Sequence, residues 1–149
     1  MKKFKFKLDP LLRYRAFQER QQKMAVAAAH AAVVDCETRI RSMIQEMRKT
    51  KITFDVRLTT GMNAEQIRWF DHYLNALAAQ RVSEEARRET LVTELIHQQQ
   101  KLSEKTVLKK VVENLKERKK EAYYHQAYRT EQQMLDDLVI LRSSRGANG

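Results

Sequence analysis

The sequence predicts an all-α protein, a long antiparallel two-helix coiled-coil hairpin with its turn near Gly61, and three observations lead there. Helix breakers are almost missing: 149 residues contain three Gly and one Pro, so few elements can be joined. An apolar heptad runs through the first third of the chain. A single interruption, Thr59-Thr60-Gly61-Met62-Asn63, separates two stretches that otherwise read as continuous helix. The expected layout is one hairpin: helix one over about 9–58, turn over about 59–63, helix two over about 64–142, and a flexible tail at 143–149.

Helix one opens at Asp9-Pro10, read as an N-cap followed by proline at the first helical position. From Val26 the heptad is plain: Val26, Val33, Ile40, Met47 and Phe54 recur every seventh residue, interleaved by Ala29, Cys36, Met43 and Thr50. Before Val26 the same register holds Arg15, Glu19 and Gln22, so the seam should be weakest there. The β-branched run from Thr50 to Thr60 lowers helix propensity ahead of the turn. Gly61 offers a left-handed helix stop, and Asn63 with Gln66 resembles a capping box that starts helix two.

Helix two opens with the stripe Ile67, Phe70, Leu74 and Leu77, which Leu91, Leu95 and Leu102 resume. Arg81, Glu84 and Arg88 fall at seam positions in between. Either the seam is polar there or Ala78, Val82 and Ala86 carry it through a register shift. The helices are unequal, about 75 Å and about 120 Å at 1.5 Å per residue. Helix one therefore covers helix two only to roughly Val112–Leu115. The remainder still carries Leu115, Tyr123, Tyr124, Tyr128, Met134, Leu135, Leu138 and Leu141, and such a helix must bind something, self-associate or fray.

Composition bounds the function. A net charge of +10 favours acidic partners: nucleic acid, anionic lipid or an acidic protein. One cysteine, Cys36, makes no internal disulfide and points to a reducing compartment. The basic start is followed by Phe4-Lys5-Phe6-Lys7 rather than an apolar leader, and no apolar run approaches the roughly 20 residues of a membrane span. His30, His72, His97 and His125 are scattered, Asp136-Asp137 do not share a helix face, and Gly61 stands alone. No catalytic residue, metal or cofactor is expected, and the chain reads as a binding protein rather than an enzyme.

The order of motifs resembles the FliJ family of the flagellar type III export apparatus. Phe4-Lys5-Phe6-Lys7-Leu8-Asp9-Pro10-Leu11-Leu12-Arg13 is similar to that family's start, and Arg68-Trp69-Phe70-Asp71-His72-Tyr73-Leu74 to its aromatic segment after the turn. Leu115-Lys116-Glu117-Arg118-Lys119-Lys120 and Glu131-Gln132-Gln133-Met134-Leu135 fit its C-terminal part. The resemblance implies a non-catalytic stalk, akin to the coiled coil of the rotary ATP synthase gamma subunit. Its partners would be the export ATPase (FliI), the export gate (FlhA) and export chaperones, at the inner face of the cell membrane. Unlike gamma, this chain has a short turn where gamma carries an α/β domain, so torque transmission is not implied. A stalk of a needle-type secretion system shares the pattern.

On that resemblance two sites are assigned. Trp69, Phe70, Tyr73 and Leu77 form the candidate surface for the export gate. Phe70, Leu74 and Leu77 lie on the seam and serve packing first, whereas Trp69 and Tyr73 flank it. Arg13, Arg15, Arg118, Lys119 and Arg142 form the candidate surface for the ATPase ring, against the plainer reading of a solvated charged face. The competing function is a basic coiled coil binding nucleic acid or anionic membrane without specificity. No base-reading motif supports it.

Overall fold

The computed structural model describes residues 2–146 and contains two helices, α1 at Asp9–Thr60 and α2 at Ala64–Gly146. They pack against each other as an antiparallel hairpin, with no strand among the described residues. Gly61 ends α1 at φ +105°, a conformation that side-chain-bearing residues rarely adopt, and its N–H reaches the Arg57 carbonyl at 3.0 Å. Asn63 starts α2 with the reciprocal bonds of a capping box. Its Oδ1 accepts from the Gln66 N–H at 2.8 Å, and its own N–H donates to Gln66 Oε1 at 3.3 Å. Two helix termini are thus satisfied within three linking residues.

The hairpin divides into two compact units. The turn unit, Gln21–Ser103, is closed by seam residues at heptad spacing, with Val33, Cys36, Ile40, Thr50 and Phe70 all buried. Phe54 and Phe70 meet across the helices at 5.4 Å between ring centroids. Burying each large apolar side chain contributes roughly 1.5–3 kcal/mol. The two sequence readings of residues 78–90 resolve in favour of a polar seam without a register shift. Val82 is 67% exposed, while Glu84 receives the Cys36 thiol at 3.4 Å and Arg88 pairs with Glu37 at 2.8 Å. Gln22 is likewise part of the closed seam. It is 6% exposed and donates to both the backbone carbonyl (3.0 Å) and Oε1 (2.7 Å) of Gln98.

The terminal unit holds residues 2–20 and 104–146. Glu19 is 5% exposed and pairs with Lys109 at 3.4 Å, so the seam here is charged but not open. The helix start differs from the sequence reading. Leu8, not Asp9, supplies the first carbonyl of α1, to the Leu12 N–H at 2.9 Å. The Asp9 carboxylate instead bridges to Lys116 at 2.8 Å, and Pro10 becomes the second helical residue, where its missing N–H is harmless. The expected tail also differs: α2 continues through Ser143 and Ser144, whose hydroxyls donate to the Ile140 and Leu141 carbonyls, and ends at Gly146. Residues 147–149 of that tail lie outside the described residues.

Candidate partner-binding surfaces

In the turn unit the aromatic residues after the capping box form a platform. Trp69 and Tyr73 are one helical turn apart and stack at 5.2 Å with an interplanar angle of 7°. Trp69 also meets Phe70 edge-on at 5.1 Å. Trp69 stays 59% exposed while Phe70 is buried at 5%, so the two adjacent rings have different roles: Phe70 closes the seam and Trp69 faces solvent. The Tyr73 hydroxyl donates to Glu46 Oε1 of α1 at 3.2 Å. Partial burial of the ring, then the hydrogen bond and the negative charge of Glu46, raise its pKa above the ordinary 10.0. The Arg57 guanidinium lies 5.9 Å from the Phe70 ring centre.

These rings border a groove of about 420 Å³ that Glu46, Lys49 and Arg57 of α1 complete. Leu77 is half-buried and does not line it. A second groove of about 640 Å³, which the sequence reading did not anticipate, is formed by Met47, Phe54, Leu74 and Ala78 with Lys51 and Arg81 at its margin. Its signal was present in the heptad: seam side chains that are incompletely covered line a groove beside the seam.

In the terminal unit, Arg13, Arg118 and Lys119 are exposed, and Arg15 is half-buried with a 3.3 Å bond to Gln18. Arg142 is not brought to this group. It lies 23 residues beyond Lys119 on the same helix, or about 35 Å along its axis. The seam register of α2 continues past Tyr123 into Gln126, Thr130 and Gln133, which are polar and exposed. Tyr124, Ala127, Met134, Leu138 and Leu141 fall one position later, whereas Ile140 keeps the seam register and Tyr128, Leu135 and Val139 lie off both lines. Met134, Leu135, Leu138, Val139, Ile140 and Leu141 are each more than half exposed.

Sequence reasoning missed the role of the N-terminal segment. Phe6 is buried, Phe4 packs on Tyr123 at 5.6 Å, and the Tyr123 hydroxyl donates to the Lys2 carbonyl at 2.6 Å. The alternation of Phe with Lys was visible, and its period of two is the signal of a segment with one face down.

No metal-binding cluster occurs among the described residues, and none of the helices is long and apolar enough to cross a membrane. The family model described as "Flagellar FliJ protein" matches residues 4–148. No curated protein and no solved structure matches the chain.

Proposed function

Because the chain belongs to the flagellar FliJ family, and is thereby a non-catalytic component of flagellar protein export, we propose that it is the stalk of the export apparatus, binding the export ATPase (FliI) through its terminal unit and the export gate (FlhA) through its turn unit. The observation that carries the reading is the last part of α2, residues 124–146. Tyr128, Met134, Leu135, Leu138, Val139, Ile140 and Leu141 are each more than half exposed, and three basic residues balance three acidic ones. A helix of that kind, with no cover from α1, needs an apolar counterpart from another protein. The basic residues Arg13, Arg15, Arg118 and Lys119 would orient the stalk in an acidic ring lining, with Arg142 serving farther along the helix. A stalk with affinity only for assembled subunits favours ring assembly by mass action.

In the turn unit, the exposed Trp69 with the stacked Tyr73 supports the gate assignment, since rigid aromatic rings are the commonest anchors of protein interfaces. Phe70 and Leu77 would support the platform from the seam. Export chaperones complete the set of partners, and the place of action is the cytoplasmic side of the cell membrane at the flagellar base.

Purified export ATPase with and without the chain tests this. Reversing Arg13, Arg15, Arg118 and Lys119 to Glu is expected to abolish stimulation of hydrolysis while gate capture persists. Replacing Trp69 and Tyr73 by Ala is expected to do the opposite. If either variant removes both activities with helix content intact, the division of labour is wrong.

A further inference from the structure

The N-terminal segment ahead of α1 carries a surface that neither proposed site uses. It is fixed at both ends, by the Tyr123 hydroxyl on the Lys2 carbonyl and by the Asp9–Lys116 pair, with Phe6 buried between them and Lys116 Nζ 5.9 Å from its ring centre. Anchoring by Phe4 and Phe6 leaves Lys2, Lys3, Lys5 and Lys7 exposed, and none of the four has an ion-pair partner among the described residues. The nearest acid in sequence, Asp9, is neutralised by Lys116. The strap also sits in the most basic part of the molecule. Residues 2–20 carry seven Lys and Arg against two acids, and residues 104–123 seven against four, so these two stretches hold +8 of the net +10.

We propose that this lysine strap docks on an anionic lipid bilayer, held by charge alone and without insertion. The chemistry of the strap favours a bilayer over a protein or a nucleic acid. All four cations are lysines, compact hydrated charges that respond to a diffuse field of phosphates rather than forking onto one carboxylate as arginine does. Phe6 is buried and Phe4 packs on Tyr123, so the strap has no exposed aromatic anchor for a protein interface and no open ring on which a base stacks; Leu8, 38% exposed, is its one exposed large apolar side chain. Because the backbone is already pinned, the lysines reach the surface without the ordering cost of a disordered basic tail. This goes beyond the ATPase and gate reading and is independent of it.

Sedimentation of the full chain with phosphatidylcholine vesicles containing roughly a third phosphatidylglycerol tests the proposal. Binding is expected there, not on phosphatidylcholine alone, and is expected to vanish toward 1 M salt, where the screening length falls to about 3 Å. Each lysine near an anionic surface is worth about fivefold in partitioning, so changing Lys2, Lys3, Lys5 and Lys7 to Gln should weaken binding by a hundredfold or more. A charge-matched variant with Arg39, Arg41, Arg87 and Lys101 changed to Gln, all exposed and away from both grooves, should bind nearly as well as the parent. Circular dichroism checks that both remain helical, and Lys3→Gln with Lys5→Gln, expected to lose about twenty-five-fold, stands in if the fourfold change disturbs folding.

Absence of vesicle binding by the parent, or an equal loss in the charge-matched variant, overturns the strap as a lipid surface. So does a strap variant that loses capture of duplex DNA but keeps the vesicles. Stimulation of the export ATPase separates the two readings. Stimulation kept while vesicle binding is lost supports the strap as stated, whereas loss of both assigns the strap to the ATPase.

Discussion

The turn unit and the terminal unit are built from the same two helices but solve opposite problems. In residues 21–103 twelve basic residues face ten acidic ones, and polar seam positions meet a partner across the hairpin: Gln22 with Gln98, Cys36 with Glu84, Glu37 with Arg88. In the terminal unit, positive charge accumulates along residues 2–20 and 104–123, and the apolar side chains of residues 134–141 have no counterpart among the described residues. The lesson is that polarity at a seam and exposure are separate properties. The turn unit is closed although parts of its seam are polar, and the last turns of α2 are open although they are apolar.

The largest expected effect tests that contrast directly. Phe70→Ala removes a buried ring between Phe54 and Trp69 and should cost about 3–5 kcal/mol in chemical denaturation. Leu138→Ala, at a side chain more than half exposed, should change the free protein by less than about 0.5 kcal/mol. Comparable losses in the two variants would mean that residues 134–141 are covered in the free protein.

Gln22 gives the intermediate effect. Gln22→Ala breaks two hydrogen bonds to Gln98 at a buried position and should cost roughly 1–3 kcal/mol. Gln22→Leu should recover most of that by burying an apolar side chain in the same place. If a polar layer fixes the register of the helices, the Leu variant should also show broader amide resonances for the residues around Gln98. Sharp, singly populated resonances there would remove the register role.

The smallest effect is on pH. Burial, followed by the hydrogen bond and negative charge of Glu84, raises the Cys36 thiol above its ordinary 9.0, and Tyr73 is raised above 10.0 by partial burial and Glu46. Both groups are neutral when protonated, so the fold favours the protonated form. Their contribution is complete below the unfolded-state values and is lost as pH rises through 9 and 10 toward the raised values. Melting temperature should therefore decline more steeply above about pH 9 in the parent than in a Cys36→Ala, Tyr73→Phe double variant. At pH 8 the Cys36 thiol should react with alkylating reagents far more slowly in the folded protein than in denaturant.

Much of this architecture was legible in the sequence because it rests on local, repeated chemistry. The heptad from Val26 to Phe54, the Gly61 stop and the Asn63–Gln66 capping box each announce themselves within a few residues, and the structure contains all three. What was not legible depends on partners far away in the chain. Arg81, Glu84 and Arg88 look like breaks in a stripe until the residues that Glu84 and Arg88 meet are known, and Asp9 looks like a cap until Lys116 is beside it. The second groove and the pinned strap were hidden for the same reason. Of the candidate site residues, the place of Trp69 and Tyr73 together on one flank followed from their spacing of four, but their stacking did not, and no local rule separates a buried Phe70 from its exposed neighbour without knowing the facing helix.

The one-position offset of the apolar stripe in residues 124–141 has a further consequence. Successive side chains on a helix are turned by about 100°, so a stripe that begins one residue late looks out in a different direction from the seam before it. A helix seated on Tyr124, Ala127, Met134, Leu138 and Leu141 would not be an extension of α1, and it would leave the α1-facing side of α2 untouched. Capture of a partner and closure of the hairpin are then not rivals for the same side chains. The molecule does not have to open in order to be bound, and a single-residue deletion just after Tyr123 would bring the stripe into line with the seam, so that a bound helix would continue the line of α1.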